Sequence, residues 1–298
     1  MIAFVHIYKC AGTTFNVLLR HHFGIHHVDR FGFRERVLCG NDLRAVQKLY
    51  PKVQSIAGHP VRPHGDLETV VPDIRYYTFL RDPVARAISH FPWFLAWKAH
   101  ADIYYNDFDE VFRRWVADPL NRNRQCYHLH PGGTAEAAWE MIEAKDLLTL
   151  RVDKFRESLL LFRHWAGEAE MDLRVRPRNT ASDARTRSQI PRYEQQIKLF
   201  TDRLKQDETL QKLLVEANTE DHALVQRVDA TRWPAMVAAY PGDLQADTAA
   251  LKASEADAPP KKDDTLGAKL YRNFVYKPMM PLLLSRGEPE AVLASEWY

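Results

Sequence analysis

The first twenty residues constrain this chain most. An apolar run, Ile2 to Tyr8, breaks at a six-residue loop, Lys9-Cys10-Ala11-Gly12-Thr13-Thr14, and a helical pattern begins at Phe15. An apolar run without clean alternation predicts a strand buried on both faces, which belongs in a parallel sheet covered by helices. Strand, short glycine-containing loop and helix, in that order, also make an anion cradle. Loop N–H groups and the positive end of the helix dipole converge on one point. The residue order is unlike the Walker loop GxxxxGK[ST], whose lysine sits near the end beside the hydroxyl that holds magnesium. Here Lys9 comes first, Thr13 and Thr14 close the loop, and no GxxxxGK[ST] occurs anywhere in the chain. The loop is built for a phosphate-bearing ligand other than Mg-ATP.

Further strands are expected at Lys52–Ala57, Arg75–Leu80, Leu147–Val152 and Asp172–Arg176. Helical patterns fall between and after them, at Phe15–Phe23, Asn41–Leu49, Val84–Phe91, Phe108–Val116, Ala135–Ala144 and Phe155–Trp165. Strands alternating with helices predict an α/β fold with a doubly wound parallel sheet of about five strands flanked by helices. Asp82 at the N-cap and Pro83 at the first helical position mark a helix start, and Pro92 is expected to end that helix. Residues 191–227 read as one or two charge-rich helices, part of a helical C-terminal extension. The expected organisation is one α/β domain over residues 1–240, then a linker and tail over 241–298. DAPPKKDD, Asp257 to Asp264, reads as an exposed linker. The apolar, aromatic tail KLYRNFVYKPMMPLLL is expected to pack on the domain or on a second copy, as a homodimer contact. Pro278 and Pro281 are expected to interrupt any long helix there.

Composition excludes little. Apolar residues make up 46% of 298, enough for a sizeable core, and 41 basic against 39 acidic residues give no bulk case for nucleic-acid binding. Cys10, Cys39 and Cys126 form no CxxC pair, which fits a reducing compartment. No secretory leader pattern and no run of about 18 apolar residues is present, so the expectation is a cytoplasmic chain without an integral membrane segment. His21, His22, His26 and His27 match no standard metal spacing, and Asp29 is the one carboxylate close by; a solvated surface cluster without metal is expected.

Three polar clusters fall just past the C-terminal ends of predicted strands: Lys9–Thr14, Gly58-His59-Pro60 and Arg81-Asp82-Pro83. Ligands of open α/β sheets bind at that edge. Each cluster alone has a plain alternative. The loop would be a helix start with a solvated lysine. Arg81 would pair with Asp82 or Asp73, Ser89 would be a small packing residue, and His59 would be structural.

Taken together, FVHIYKCAGTT and FLRDPVARAISHF resemble the sulfotransferase superfamily. The likeness is to the branch with the glycosaminoglycan and other carbohydrate O-sulfotransferases, whose motifs read like HIPKTAGTS and FLRDPVERxxSxY. The resemblance implies a P-loop-like fold and a sulfuryl donor, 3′-phosphoadenosine 5′-phosphosulfate (PAPS), with no catalytic metal. It assigns Lys9, Cys10, Ala11, Gly12, Thr13 and Thr14 to the 5′-phosphosulfate, and Arg81 and Ser89 to the 3′-phosphate. It implies a carbohydrate hydroxyl as acceptor, His59 in SIAGHPVRP as the base, and Lys9 as a catalytic cation. His64 is the competing base, His6 is expected to be structural, and Arg62 is a candidate contact for an anionic acceptor. Weaker likenesses cover NRNRQCYHL, LLTLRVDKFRESLLLFRHW and RPRNTASDAR, the last offering Asn179 and Arg185 as cofactor contacts. The chain departs from the pattern at Tyr8 (usually proline), Cys10 (commonly threonine) and Val152-Asp153 (usually glutamate). Cys10 would set an oxidisable thiol beside the donor. Trp93, Trp97, Lys98, Arg113 and Arg114 read as a sugar-stacking wall or as a packed helix face. Two rival readings are a P-loop nucleotide or sugar kinase and a non-catalytic nucleotide-binding module.

Overall fold

The structure, a computed structural model, describes residues 1–29, 31, 36–97, 108–175, 194–255 and 265–283. Its centre is a five-stranded parallel sheet. Strand β1 (Ile2–Val5) lies mid-sheet, β2 (His27–Val28) at one edge, and β3 (Ser55–Gly58) between them; β4 (Arg75–Leu80) and β5 (Leu148–Arg151) continue beyond β1. The order β2-β3-β1-β4-β5 reverses direction at β1. Val5 lies level with Gly58 on one side and Thr78 on the other, so all three strands open their C-terminal ends at one crevice. That is the topological switch point where such sheets bind ligands.

Burial explains the strands. Phe4, Val5, Ile56, Ala57, Tyr77, Phe79 and Leu150 are fully buried. Phe4 stacks on Tyr77 at 5.1 Å, and helix α1 (Gly12–Phe23) sets Phe15 edge-on against Phe162 of a later helix at 4.9 Å. Each such ring contributes about 1.5–3 kcal/mol by burial. The chain then runs through α2 (Gly40–Leu49), α3 (Pro83–Trp97), α4 (Phe108–Ala117), α5 (Arg124–Leu129), α6 (Ala135–Ala144) and α7 (Phe155–Ala166). After them come α8 (Glu194–Gln206), α9 (Glu208–Ala217), α10 (Thr219–Ala230), α11 (Arg232–Ala238) and α12 (Leu244–Ser254). The stretch expected as one or two helices is therefore three, because Asp207 and Asn218 interrupt it. The Asp207 carboxylate accepts from the N–H groups of Thr209 and Leu210 and restarts the helix.

Three expectations fail for identifiable reasons. Asp172–Val175 forms no strand, and Arg176 lies outside the described residues. There Asp172 accepts from the backbone N–H and guanidinium of Arg174, a local bond that competes with a ladder. The fifth strand is His27–Val28, pinned by a 3.0 Å contact between the His27 ring and Ser55 Oγ. His27 is thus buried, not part of a solvated surface cluster. Pro92 also sits inside α3 rather than ending it. A mid-helix proline costs roughly 3 kcal/mol. Phe91 and Leu95 on either side offset this by packing with Phe112 and Trp115 of α4 into a second, smaller core.

The tail forms α13 (Leu266–Tyr271), a π turn (Arg272–Tyr276) and α14 (Lys277–Leu283), so the helical path continues through Pro278 and Pro281. The π turn changes the hydrogen-bond register directly before Pro278. Tyr276 and Met280 join the main core. The expected linker, Asp257–Asp264, lies outside the described residues.

Two helices from distant parts of the chain cap each other. The Asp221 carboxylate of α10 accepts from the backbone N–H groups of Gln125 (3.0 Å) and Cys126 (2.9 Å), at the start of α5. Asn123 Oδ1 in turn accepts from the N–H of Glu220 at 3.1 Å. Asp221 also stands 4.0 Å from Nε of Arg86, and both are fully buried. Removing one member of a buried pair strands the other charge. Asp221→Ala is expected to destabilise the fold by about 3–5 kcal/mol, read as a drop in denaturant midpoint, with Asp221→Asn intermediate.

Candidate functional site

The crevice holds a cavity of about 350 Å³, and Lys9, Ala11, Gly12, Thr13, Thr14, Arg81 and Ser89 line it. This is the size of a nucleotide-scale ligand site. The loop that shapes it is unusual in its backbone. Lys9 (φ 65°) and Ala11 (φ 58°) are both left-handed without being glycine. Such positions cost roughly 1–3 kcal/mol each and gather at ligand-binding loops. Ala11 is the N-cap of α1 and offers no side-chain cap. Gly12, Thr13 and Thr14 of the first turn line the cavity, so the N-terminal end of α1 opens on it.

Gly12 is required for room. A Cβ there would stand 1.9 Å from Nε2 of His6. His6 lies just past β1, not within it, and lines the cavity. Burial pushes its imidazole down to about 4, with Asp29 opposing.

Arg81 reaches across from the end of β4. Its Nη1 donates to the Lys9 carbonyl at 3.1 Å. Asp82 is occupied as the N-cap of α3, accepting from Ala85 N–H at 2.7 Å. Among the described residues neither Lys9 nor Arg81 forms an ion pair with a carboxylate. Both cations are thus set to face an anion. Burial, then the neighbouring Arg81 charge, pushes the Lys9 ammonium down to about 8.

Gln125 locks the two motifs together. Its Oε1 accepts from Arg81 N–H at 2.8 Å, and its Nε2 donates to the Arg81 carbonyl at 2.9 Å. The Cys10 thiol donates to the same Oε1 at 3.7 Å. Cys10 is therefore turned into the protein, off the cavity lining, and burial pushes its thiol up to about 12. The expectation of a thiol beside a bound donor is corrected: this sulfur is inert. Sequence reasoning marked NRNRQCYHL as a unit but not Gln125 as the clamp, because nothing local shows which backbone an amide will meet.

Other lining comes from the segment LLTLRVDKFRESLLLFRHW and from Glu255, which no sequence motif marks. Val152 and Phe155 line the cavity, as do Arg156 and Glu255, whose carboxylate accepts from Arg156 at 2.8 and 2.9 Å. Glu255 follows α12, so the segment expected to be a linker and tail from residue 241 supplies part of the site.

His59 is not on the cavity lining. Its Nδ1 lies 2.6 Å from the His6 carbonyl, so Nδ1–H donates and Nε2 keeps the lone pair. Its ring stacks on Tyr8 at 3.6 Å and on His6 at 4.3 Å. Tyr8 also meets the edge of His128 at 5.5 Å and the Arg124 guanidinium at 5.0 Å. Burial first, then nearby positive charge, holds His59, His90 and His128 well below the usual imidazole range. Arg62 bonds the His59 carbonyl at 2.9 Å, and His64 meets the Leu129 carbonyl at 3.3 Å. Arg113 and Arg114 lie on the exposed face of α4, where Arg114 pairs with Glu110; Trp93 stands by Tyr8 and His90. Trp97 is the last residue of α3, and Lys98, Asn179 and Arg185 lie outside the described residues. His22 pairs with Glu168 at 2.8 Å, and among the described residues no group of three metal-ligating side chains is gathered.

No protein-family model matches the chain, and no curated protein matches it.

Gly12→Ala forces the His6 ring to move and is expected to cost about 1–3 kcal/mol, with His6→Ala restoring room in the double variant; chemical denaturation of all three forms checks this. The buried histidines set a pH dependence. Each is neutral in the fold and protonated in the unfolded chain below about 6.5, so stability present above that pH is lost as pH falls. Each contributes at most about 1.4 kcal/mol per pH unit. Denaturation midpoints should fall steeply from pH 7 to 5.5; a flat profile would contradict neutral burial.

Proposed function

We propose that the protein is a sulfotransferase that takes a sulfuryl group from PAPS to an acceptor hydroxyl, with carbohydrate as the acceptor class. The observation that carries this reading is the convergence of two distant motifs on one cavity. Lys9–Thr14 and Arg81 with Ser89 would hold two separate phosphate groups, as the resemblance to carbohydrate sulfotransferases implies. The residues fit such a donor. The cavity is nucleotide-sized, and Lys9 and Arg81, which pair with no carboxylate among the described residues, line it together with the N-terminus of α1.

PAPS, when bound, supplies an activated sulfuryl group on a phosphate bridge. Lys9 and the first-turn amides would hold the charge that gathers at the bridging oxygen, and Arg81 and Ser89 would fix the distal phosphate. Sulfuryl carries less charge than phosphoryl, so one lysine and backbone dipoles take the place of a magnesium ion. Because these groups are already placed, positioning and preorganised electrostatics carry most of the rate.

His59 is the proposed base. The His6 carbonyl fixes its tautomer with Nε2 open, and its lowered proton affinity keeps it neutral. Tyr8 covers one face of its ring, a contact that leaves the in-plane Nε2 lone pair uncovered. His6 is the second reading, favoured by its place on the cavity wall.

Thermal stability discriminates the classes. 3′,5′-Adenosine bisphosphate at a hundredfold excess over its Kd should stabilise the fold by about 2.7 kcal/mol; stabilisation by Mg-ATP alone would favour a kinase. With labelled PAPS and a panel of polysaccharides, glycans, lipids and phenols, Lys9→Ala is expected to abolish transfer and Arg81→Ala mainly to weaken donor binding. His59→Ala should lower turnover about 10²–10⁴-fold with nucleotide binding kept; if His6→Ala alone does so, His6 is the base. Binding without turnover in the wild-type chain would mark a non-catalytic module. Nucleotide affinity should fall as pH rises through about 8, where Lys9 loses its proton, and Lys9→Met should erase that step.

A further inference from the structure

Among the described residues, α13, α14 and the π turn joining them are bound to the domain by one face. Ala268, Tyr276 and Met280 are buried, and the Tyr271 hydroxyl donates to the Leu49 carbonyl. The opposite face is apolar and open. Leu266, Leu270, Phe274, Pro278 and Leu282 recur at every fourth position, and all are exposed. Leu266 is 74% exposed, Phe274 77% and Leu282 76%, values far from those of packed side chains. In a regular α-helix a four-residue repeat drifts about 40° per step. The wider π turn takes part of that drift back, so the ridge keeps to one side. Ile25, half exposed in the turn that α13 packs against, extends it.

Charge decides what could cover this ridge. From Thr265 to Leu283 the chain carries Lys269, Arg272 and Lys277 and no acidic residue. Lys269 and Lys277 are exposed beside the ridge, and α2, against which α14 packs, exposes Arg44 and Lys48. A second copy meeting this face about a twofold axis would bring like charges together with no carboxylate of the segment to answer them. Among the described residues no helix is long and apolar enough to cross a membrane. An apolar ridge flanked by lysines, lying along the surface, has the character of an interfacial helix.

We propose that this face seats on an anionic lipid surface, with Leu266, Leu270, Phe274 and Leu282 entering the headgroup boundary and Lys269 and Lys277 on the lipid phosphates. The helices would lie in the plane of the interface, with the sheet above them.

The test is co-sedimentation of the full chain with phosphatidylcholine vesicles, with and without phosphatidylglycerol. Binding is expected on the anionic vesicles and lost at high salt. Leu270→Glu with Phe274→Glu should abolish it, and Lys269→Glu with Lys277→Glu should weaken partition by at least about tenfold. All four positions are exposed, so unchanged thermal melting is the check that the variants fold. Lys9→Ala should bind vesicles as wild type does, separating this face from the nucleotide cavity. Absence of binding by the wild-type chain, or equal binding with and without phosphatidylglycerol, overturns the proposal. So does a dimer in light scattering that Leu270→Glu with Phe274→Glu splits while no vesicle binds.

Discussion

A buried carboxylate, Asp221, stands under the whole site. It accepts the first N–H groups of α5 and faces the Arg86 guanidinium. Fixing α5 fixes Gln125, whose amide grips both backbone groups of Arg81 and takes the Cys10 thiol. Arg81 in turn holds the Lys9 carbonyl. Lys9 and Arg81 therefore line the cavity at one end of a chain of bonds whose other end is dry. In a low dielectric such a chain is strong when complete and costly when one link is missing. The strained loop at Lys9 and Ala11 can persist because this chain over-determines it.

Much of this was legible in the sequence where local rules suffice. Arg75–Leu80 and Ala135–Ala144 emerged as read, because an unbroken apolar run and a clear helical period each have one good solution. The N-cap at Asp82 followed from its own chemistry. Lys9, Gly12, Thr13, Thr14 and Arg81 could be placed near one another because each follows the end of a parallel strand, whereas Ser89, inside the next helix, was placed there by the resemblance alone. What stayed hidden depends on partners far along the chain. Gln125 differs from any other amide only through Asp221 and Arg81. His27 reads as one more surface histidine until Ser55 is beside it. Pro92 reads as a stop until the second core is seen to hold the helix on both sides.

The imidazoles share a logic. His59, His90 and His128 gather around Tyr8 with positive neighbours in Arg62, Arg86 and Arg124. Desolvation and like charge act in the same direction and keep them uncharged. Neutral rings stack closely on one another, which imidazolium ions would not do. The positive potential of the site then comes from Lys9 and Arg81 rather than from a diffuse field of histidines.

The position of β1 bears on how the chain reaches this state. β1 is made before either of its neighbours, yet it lies mid-sheet and waits for Ser55–Gly58 and Arg75–Leu80 to complete its two edges. The cap that steadies Gln125 comes later still, from Asp221. During synthesis the edges of β1 thus stay open until Leu80 has emerged, and the Lys9–Thr14 loop lacks its full bracing until Asp221 has. Non-local closure of this kind is slow and leaves unpaired strand edges open to other chains. The contact of α1 with β3, which needs the chain only as far as Gly58, is the earliest that can cover one side of β1.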